Sequence, residues 1–235
     1  MNENKEHFLD TSVMLARITY WKPEDAHRNS KKYFLDSRYN KSTSIRVVGE
    51  AKGVLNSARQ VVGKTLQWLY ENQSGVSMMH FENWAIRATQ NLFEKPHEQK
   101  ICRSFIQNCG SDIMSAVGSQ KTVDEYLGKI RSEIQMGYTD LQILCANNSG
   151  CAITRHDDCP VSYSSIYPGE FQTILSTLNH DKDSLIVMDA YFVSNKIRQP
   201  TSLITLDREH MLSNKPKIEA TLTTVKVCDF GTYLP

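Results

Sequence analysis

Between Ile45 and Leu69, apolar residues recur at steps of three and four: Val47, Val48, Ala51, Val54, Leu55, Ala58, Val61, Val62, Leu66 and Leu69. That period predicts one long helix with a wide buried face. Shorter apolar pushes surround it. Phe8-Leu9 runs into Asp10 and predicts a first strand ending there, with a helix from about Ser12 to Tyr20 that Pro23 interrupts. A second helix is expected over 26–36, and the polar stretch SRYNKSTS (37–44) reads as a turn-forming loop. The middle, about 72–170, is less regular. Within it 123–146 reads as one helix and 147–169 as loop. After a helix at 170–178, DSLIVMDAYFVSNK (183–196) predicts a helix that opens with an acid. TSLITL (201–206) is a buried strand followed by Asp207, and VKVCDF (225–230) a last strand. Strands separated by helices predict an α/β fold with a parallel sheet.

Length and charge narrow the classes. A chain of 235 residues can bury a good core as one domain with a sizeable insertion, and 72–170 is the expected insertion. The formal net charge of +1 gives no global basic field, so a nucleic-acid surface has to be a local patch. No stretch approaches the roughly 18 apolar residues of a membrane-spanning helix. The polar start MNENKEHF has no apolar signal core, which points to the cytoplasm, where six cysteines are expected to be thiols. No internal repeat or low-complexity segment is visible.

Four acids share one property: each stands at an element end or in an apolar face. Asp10 follows the first strand, Glu50 lies near the start of the long helix, Asp183 opens a late helix and Asp207 ends a late strand. Taken singly, Asp10 (or Thr11 or Ser12), Asp183 and Asp207 read as helix caps, and Glu50 as an acid favoured by the helix dipole. Taken together, strand-end carboxylates of a parallel sheet fall at one edge, where open α/β sheets bind ligands. Such a cluster repels itself unless a cation neutralises it, and oxygen ligands favour Mg²⁺ or Mn²⁺ over zinc. These ions bind phosphates and activate water for in-line attack.

The pieces resemble a PIN-domain nuclease, the family of toxin ribonucleases in toxin–antitoxin pairs. FLDTSVML resembles its first strand with an Asp-Thr/Ser signature, SIRVVGEAKGVL the segment with its Glu, and DSLIVMDAYFVSNKIRQPTSLITLDREHM its carboxyl-terminal signature ending Thr-x-Asp. The resemblance covers about the first 70 and last 55 residues of the chain. It implies a three-layer fold with helices on both faces of a parallel sheet and a helical insertion. It also implies a metal-dependent endoribonuclease with Asp10, Glu50, Asp183 and Asp207 holding Mg²⁺ or Mn²⁺, and with Ser12 and Thr205 as supporting hydroxyls. Asp189 is the alternative to Asp183. Six residues of helix turn the two about 120° apart, so both do not face one ion, and the helix start favours Asp183. RNA is the implied substrate, and a protein antitoxin or inhibitor and a second copy of the chain are the implied partners. The alternative is a catalytically silent PIN-like scaffold that binds RNA or protein. A phosphohydrolase with a nucleophilic Asp and a second Asp two residues later is disfavoured by Ser12.

Lys31, Lys32, Arg38, Lys41 and Arg46 cluster in sequence beside these acids. They read either as solvated surface or as phosphate contacts, Lys31, Lys32 and Arg46 foremost, with Tyr33 and Tyr39 available for base stacking. Cys145, Cys151, His156 and Cys159 fall within fifteen positions without a C-x-x-C pair, a weak zinc signal. Cys102 and Cys109, seven apart on one helix face, read as core. The DFG triplet at 229–231 stands without a kinase's other motifs.

Overall fold

The computed structural model describes residues 5–19, 24–73, 80–146 and 153–233. The expected break at Pro23, and Cys151, lie outside them. In chain order the elements are β1 (Lys5–Leu9), α1 (Thr11–Ile18), α2 (Glu24–Leu35), β2 (Tyr39–Ser44), α3 (Ile45–Asn72), α4 (Phe81–Ala88), α5 (Pro96–Ala116), α6 (Gln120–Leu144), β3 (Thr154–His156), α7 (Pro168–Leu178), α8 (Asp181–Ile197), β4 (Thr201–Thr205), α9 (Lys215–Thr221) and β5 (Val225–Asp229). A π-helical turn at Arg208–Leu212 follows β4.

The five strands form one sheet in the order β3-β2-β1-β4-β5, and every adjacent pair is parallel. Parallel neighbours require crossovers, and helices supply them in each interval. The fold is therefore α/β with an all-parallel sheet flanked by helices. Phe8, Leu9, Leu203, Ile204, Val225 and Val227 are buried in the sheet, with Val187, Met188 and Val193 of α8 buried too. This continuous apolar lettering is what a parallel sheet covered by helices demands.

Two segments depart from expectation. Residues 39–44 are an interior strand rather than a loop, paired with β1 on one side and β3 on the other. Its last four residues, Lys41-Ser42-Thr43-Ser44, are all buried. Their polar groups turn back on the chain: Thr43 Oγ1 donates to Leu9 O (3.0 Å) and Ser44 Oγ caps α3 by accepting from Val47 N (3.3 Å). Lys41 Nζ donates to Asp36 O and to Tyr39 O. The second departure is β3, a three-residue edge strand inside the expected loop 147–169. Elsewhere the boundaries shift by a few residues; α8 begins at Asp181, capped by His180, so Asp183 lies within its first turn.

The chain divides into two compact units. One comprises Met1–Arg17, Arg28–Ala51 and Leu141–Pro235 and holds the sheet. The other, Ile18–His27 and Lys52–Asp140, is helical among its described residues. Its core is the apolar face of α3 from Leu55 to Leu69, with Phe81, Ala85, Phe105, Ile106, Ile113, Ile130 and Ile134. Cys102 and Cys109 are buried there as expected, and α5 bends at Cys109, whose φ of −125° and ψ of 15° are not helical. Gly137 of α6 is required by close approach, because a Cβ would run into the carbonyl oxygen of Ile18. No helix among the described residues is long and apolar enough to cross a membrane.

Candidate active site

Strand order reverses between β1 and β4. From β1 the chain moves outward through β2 and β3, then returns to the other side of β1 with β4. In open α/β sheets that junction leaves a crevice at the carboxyl ends of the two strands. Asp10 stands there as the residue after β1, its N–H donating to Ile204 O of β4 (3.1 Å). Its side chain is 3% exposed. Oδ1 accepts from Thr11 N (2.6 Å), and Oδ2 accepts from Ser12 Oγ (2.7 Å) and Thr205 Oγ1 (2.8 Å). Each hydroxyl also accepts from the β4 side, Ser12 Oγ from Leu206 N and Thr205 Oγ1 from Asp207 N, both at 2.9 Å. The two expected supporting hydroxyls thus join the ends of β1 and β4 through one carboxylate. Burial pushes the Asp10 carboxyl up to about 6 and the charge of Glu50 adds to this, against the lowering effect of its three donors.

The other acids arrive from three elements. Glu50, in the second turn of α3, accepts from Thr11 Oγ1 (2.5 Å). Asp207 caps the π-helical turn: Oδ1 accepts from Glu209 N and His210 N at 3.1 Å each, while its backbone oxygen accepts from Leu212 N five residues on (2.9 Å). Capping therefore engages Oδ1 and leaves Oδ2 to face His210 Nδ1 at 3.3 Å. Asp183 Oδ2 lies 3.4 Å from the same nitrogen and 2.9 Å from His180 Nδ1. The His180 and His210 rings stack, 5.3 Å between centroids. Burial raises the Asp183 carboxyl above its ordinary value; His180 and His210 oppose this, while Asp207 and Glu50 reinforce it.

Asp10, Glu50, Asp183 and Asp207 are thus linked by shared hydrogen bonds and by mutual repulsion. Asp189 is elsewhere: fully buried, it accepts from Tyr163 OH (2.7 Å) and pairs with Arg46 Nε (3.3 Å). Of the two alternatives for the third acid, Asp183 is the one that joins the others. Arg46 also donates to Pro160 O (2.8 Å), so its guanidinium is engaged inside the protein rather than presented as a phosphate contact. Tyr33 is buried and bonded to His7 Nδ1 (2.8 Å), which removes it from base stacking. Lys41 points inward and Arg38 forks onto Asp36, whereas Lys31 and Lys32 are exposed.

The expected set omits His180 and His210. The signal is present as H-x-x-D at 180–183 and D-x-x-H at 207–210, the one-turn spacing that lets helical side chains meet. Among the described residues, Asp183, Asp207 and His210 are the one group of three or more His, Cys, Asp or Glu able to share an ion, with ligand atoms within 4.8 Å of one another. Cys145, His156 and Cys159 do not form such a group.

The donor set fits a divalent cation. Two ligands at right angles, each about 2.1 Å from an ion, stand about 3 Å apart, close to the 3.3 and 3.4 Å found around His210 Nδ1. Carboxylates suit Mg²⁺ and Mn²⁺, an imidazole suits first-row ions such as Zn²⁺ and Fe²⁺, and the repulsion among the acids is what a cation relieves. In comparisons with known proteins no family model matches the chain, and neither a curated protein nor a solved structure matches it significantly.

Proposed function

We propose that this chain is a PIN-like nuclease, a divalent-metal-dependent endoribonuclease that hydrolyses RNA phosphodiester bonds. The observation that carries this reading is the meeting of Asp10, Glu50, Asp183 and Asp207 at the junction of β1 and β4. Asp183, Asp207 and His210 hold the ion, with Asp10 and Glu50 beside them. A bound Mg²⁺ or Mn²⁺ supplies charge to neutralise the scissile phosphate and acidity to activate water. The protein's own part is positional. Ser12 and Thr205 fix the Asp10 carboxylate, the turn after β4 aims Asp207, and His180 orients Asp183. Lys31 and Lys32 offer exposed charge to the RNA backbone.

The test is cleavage of single-stranded RNA, with single-stranded DNA in parallel, in Mn²⁺, Mg²⁺ and EDTA. Cleavage of RNA that EDTA stops, and that Asp183→Ala and Asp207→Ala each remove with the fold intact, is expected. Cleavage that persists in EDTA overturns the reading. A silent scaffold of the same construction is favoured by one feature, the engagement of both Asp10 oxygens by protein donors. On that reading the chain binds RNA without cutting it under any of these conditions.

A further inference from the structure

The turn after β4 has a second side. Asp207 and His210 meet on the side of the acids. Arg208 and Leu212, four residues apart along the turn, line an open cleft of about 580 Å³ with Lys215, Cys228, Asp229 and Thr232. β5 pairs with β4, and paired strands stand about 4.8 Å apart. The cleft at the ends of β4 and β5 therefore adjoins the junction of β1 and β4 where the acids meet. Its cations are not engaged inside the protein. Arg208 is exposed, and its guanidinium has no hydrogen-bond or ion-pair partner among the described residues. Lys215 Nζ stands 3.8 Å from Glu219 Oε1, which accepts instead from Val227 N (2.8 Å). Asp229 Oδ1 accepts from Gly231 N (2.8 Å) and the Asp229 carbonyl accepts from Thr232 Oγ1 (2.7 Å), which leaves Asp229 Oδ2 without a partner among the described residues.

We infer that this cleft seats a nucleotide adjoining the scissile bond, with Arg208 and Lys215 paired to its phosphate and Asp229 Oδ2 accepting from its ribose hydroxyl or base amine. Its place beside the scissile bond rests on the nuclease reading. Two unengaged cations lining one cleft suit a phosphate, the arginine through its planar fork and the lysine as a point charge. The carboxylate narrows the ligand further. It repels a bare phosphate, whereas a nucleotide brings a donor as well as an anion and so answers both charges. Leu212 and Cys228 add apolar wall, and the volume is that of a small-ligand site.

Fluorescence anisotropy of a labelled single-stranded RNA in EDTA and in Mn²⁺ tests this, together with KM for cleavage and calorimetric titration of Mn²⁺. Arg208 and Lys215 are exposed, so the double variant Arg208→Ala, Lys215→Ala is expected to fold. It should weaken RNA binding by about tenfold or more, raise KM, and lower the slope of log affinity against log salt by about 0.7. Its Mn²⁺ affinity should stay parental. Lys226→Ala, exposed at the amino end of β5, should leave RNA binding unchanged. In the parent protein adenosine monophosphate should displace the RNA at lower concentration than inorganic phosphate, and Asp229→Ala should narrow that difference. Parental binding and KM in the double variant overturn the inference. An equal loss from Lys226→Ala overturns it too, because the charge then acts diffusely. Phosphate competing as well as the nucleotide in the parent removes the role of Asp229, a result that needs no variant to fold. If RNA binds through the cleft but is not cut in Mn²⁺, the nucleotide site stands and the nuclease reading fails. If RNA is cut with a parental KM in the double variant, the nuclease reading stands and the nucleotide site fails. RNA that binds neither in EDTA nor in Mn²⁺ overturns both.

Discussion

Two acidic residues, Asp189 buried and Asp183 half-buried, show how environment alone sets a role. Asp189 and Asp183 lie on one helix, and either can be written into the sequence pattern. Asp189 is neutralised from inside by Arg46 and Tyr163, whereas Asp183 is surrounded by further acids and two imidazoles. Removing Arg46 leaves a buried carboxylate without its cation. Arg46→Ala should therefore lower stability by about 2–3 kcal/mol by chemical denaturation, less than for a fully buried pair because Arg46 is partly exposed. Lys31→Ala should leave stability unchanged. His7 provides a pH-dependent counterpart away from the site. Burial, with help from Lys41 and Lys5, lowers its imidazole to about 4, against Asp36. Between about 4 and 6.5 the unfolded chain binds a proton that the folded chain refuses. The contribution of His7 to stability is thus present above pH 6.5 and is lost as pH falls toward 4. His7→Phe should flatten this acid slope in melts between pH 4 and 7, although it loses the bond to Tyr33. An unchanged slope would place the titration on other groups.

Elements were legible in proportion to their apolar lettering. β1, β4 and β5 carry apolar runs and α3 a long helical period, so each could be read from the sequence. β2 could not, because Tyr-Asn-Lys-Ser-Thr-Ser has no alternating apolar face. It is a strand because its side chains are small, the hydroxyls of Thr43 and Ser44 bond to backbone, and it lies between two paired neighbours. The partner of the acids, His210, was hidden for a related reason: a histidine in a short turn carries no periodicity, and only the turn geometry brings it to Asp207. In the helical unit the sequence places Cys102 and Cys109 on one helix but does not give the bounds of α5, whose period is broken by the bend at Cys109. Close packing in this unit gives its own prediction. Gly137→Ala should destabilise the protein by about 1–3 kcal/mol in urea titration, because the added methyl meets the Ile18 carbonyl. A neutral result would mean that α6 shifts without cost.

On the scale of the molecule, the order β3-β2-β1-β4-β5 is what turns four scattered acids into neighbours, since it places the ends of β1 and β4 side by side. The sequence order of strand-Asp, helix-Glu, helix-Asp and strand-Asp was readable; their convergence depends on this order, which letters alone do not state. If these acids hold an ion in the folded chain only, Mn²⁺ should raise the melting temperature of the parent and EDTA should reverse it. Asp183→Ala should melt near the metal-free parent and Asp207→Ala below it, because it also loses the cap of the turn after β4; neither should gain from Mn²⁺. The most direct measurement is a crystal structure of the protein soaked in Mn²⁺, read by anomalous scattering. A peak bounded by Asp183, Asp207 and His210, beside Asp10 and Glu50, is expected; a well-ordered site with no peak there, or manganese bound only elsewhere, would overturn the metal-site reading.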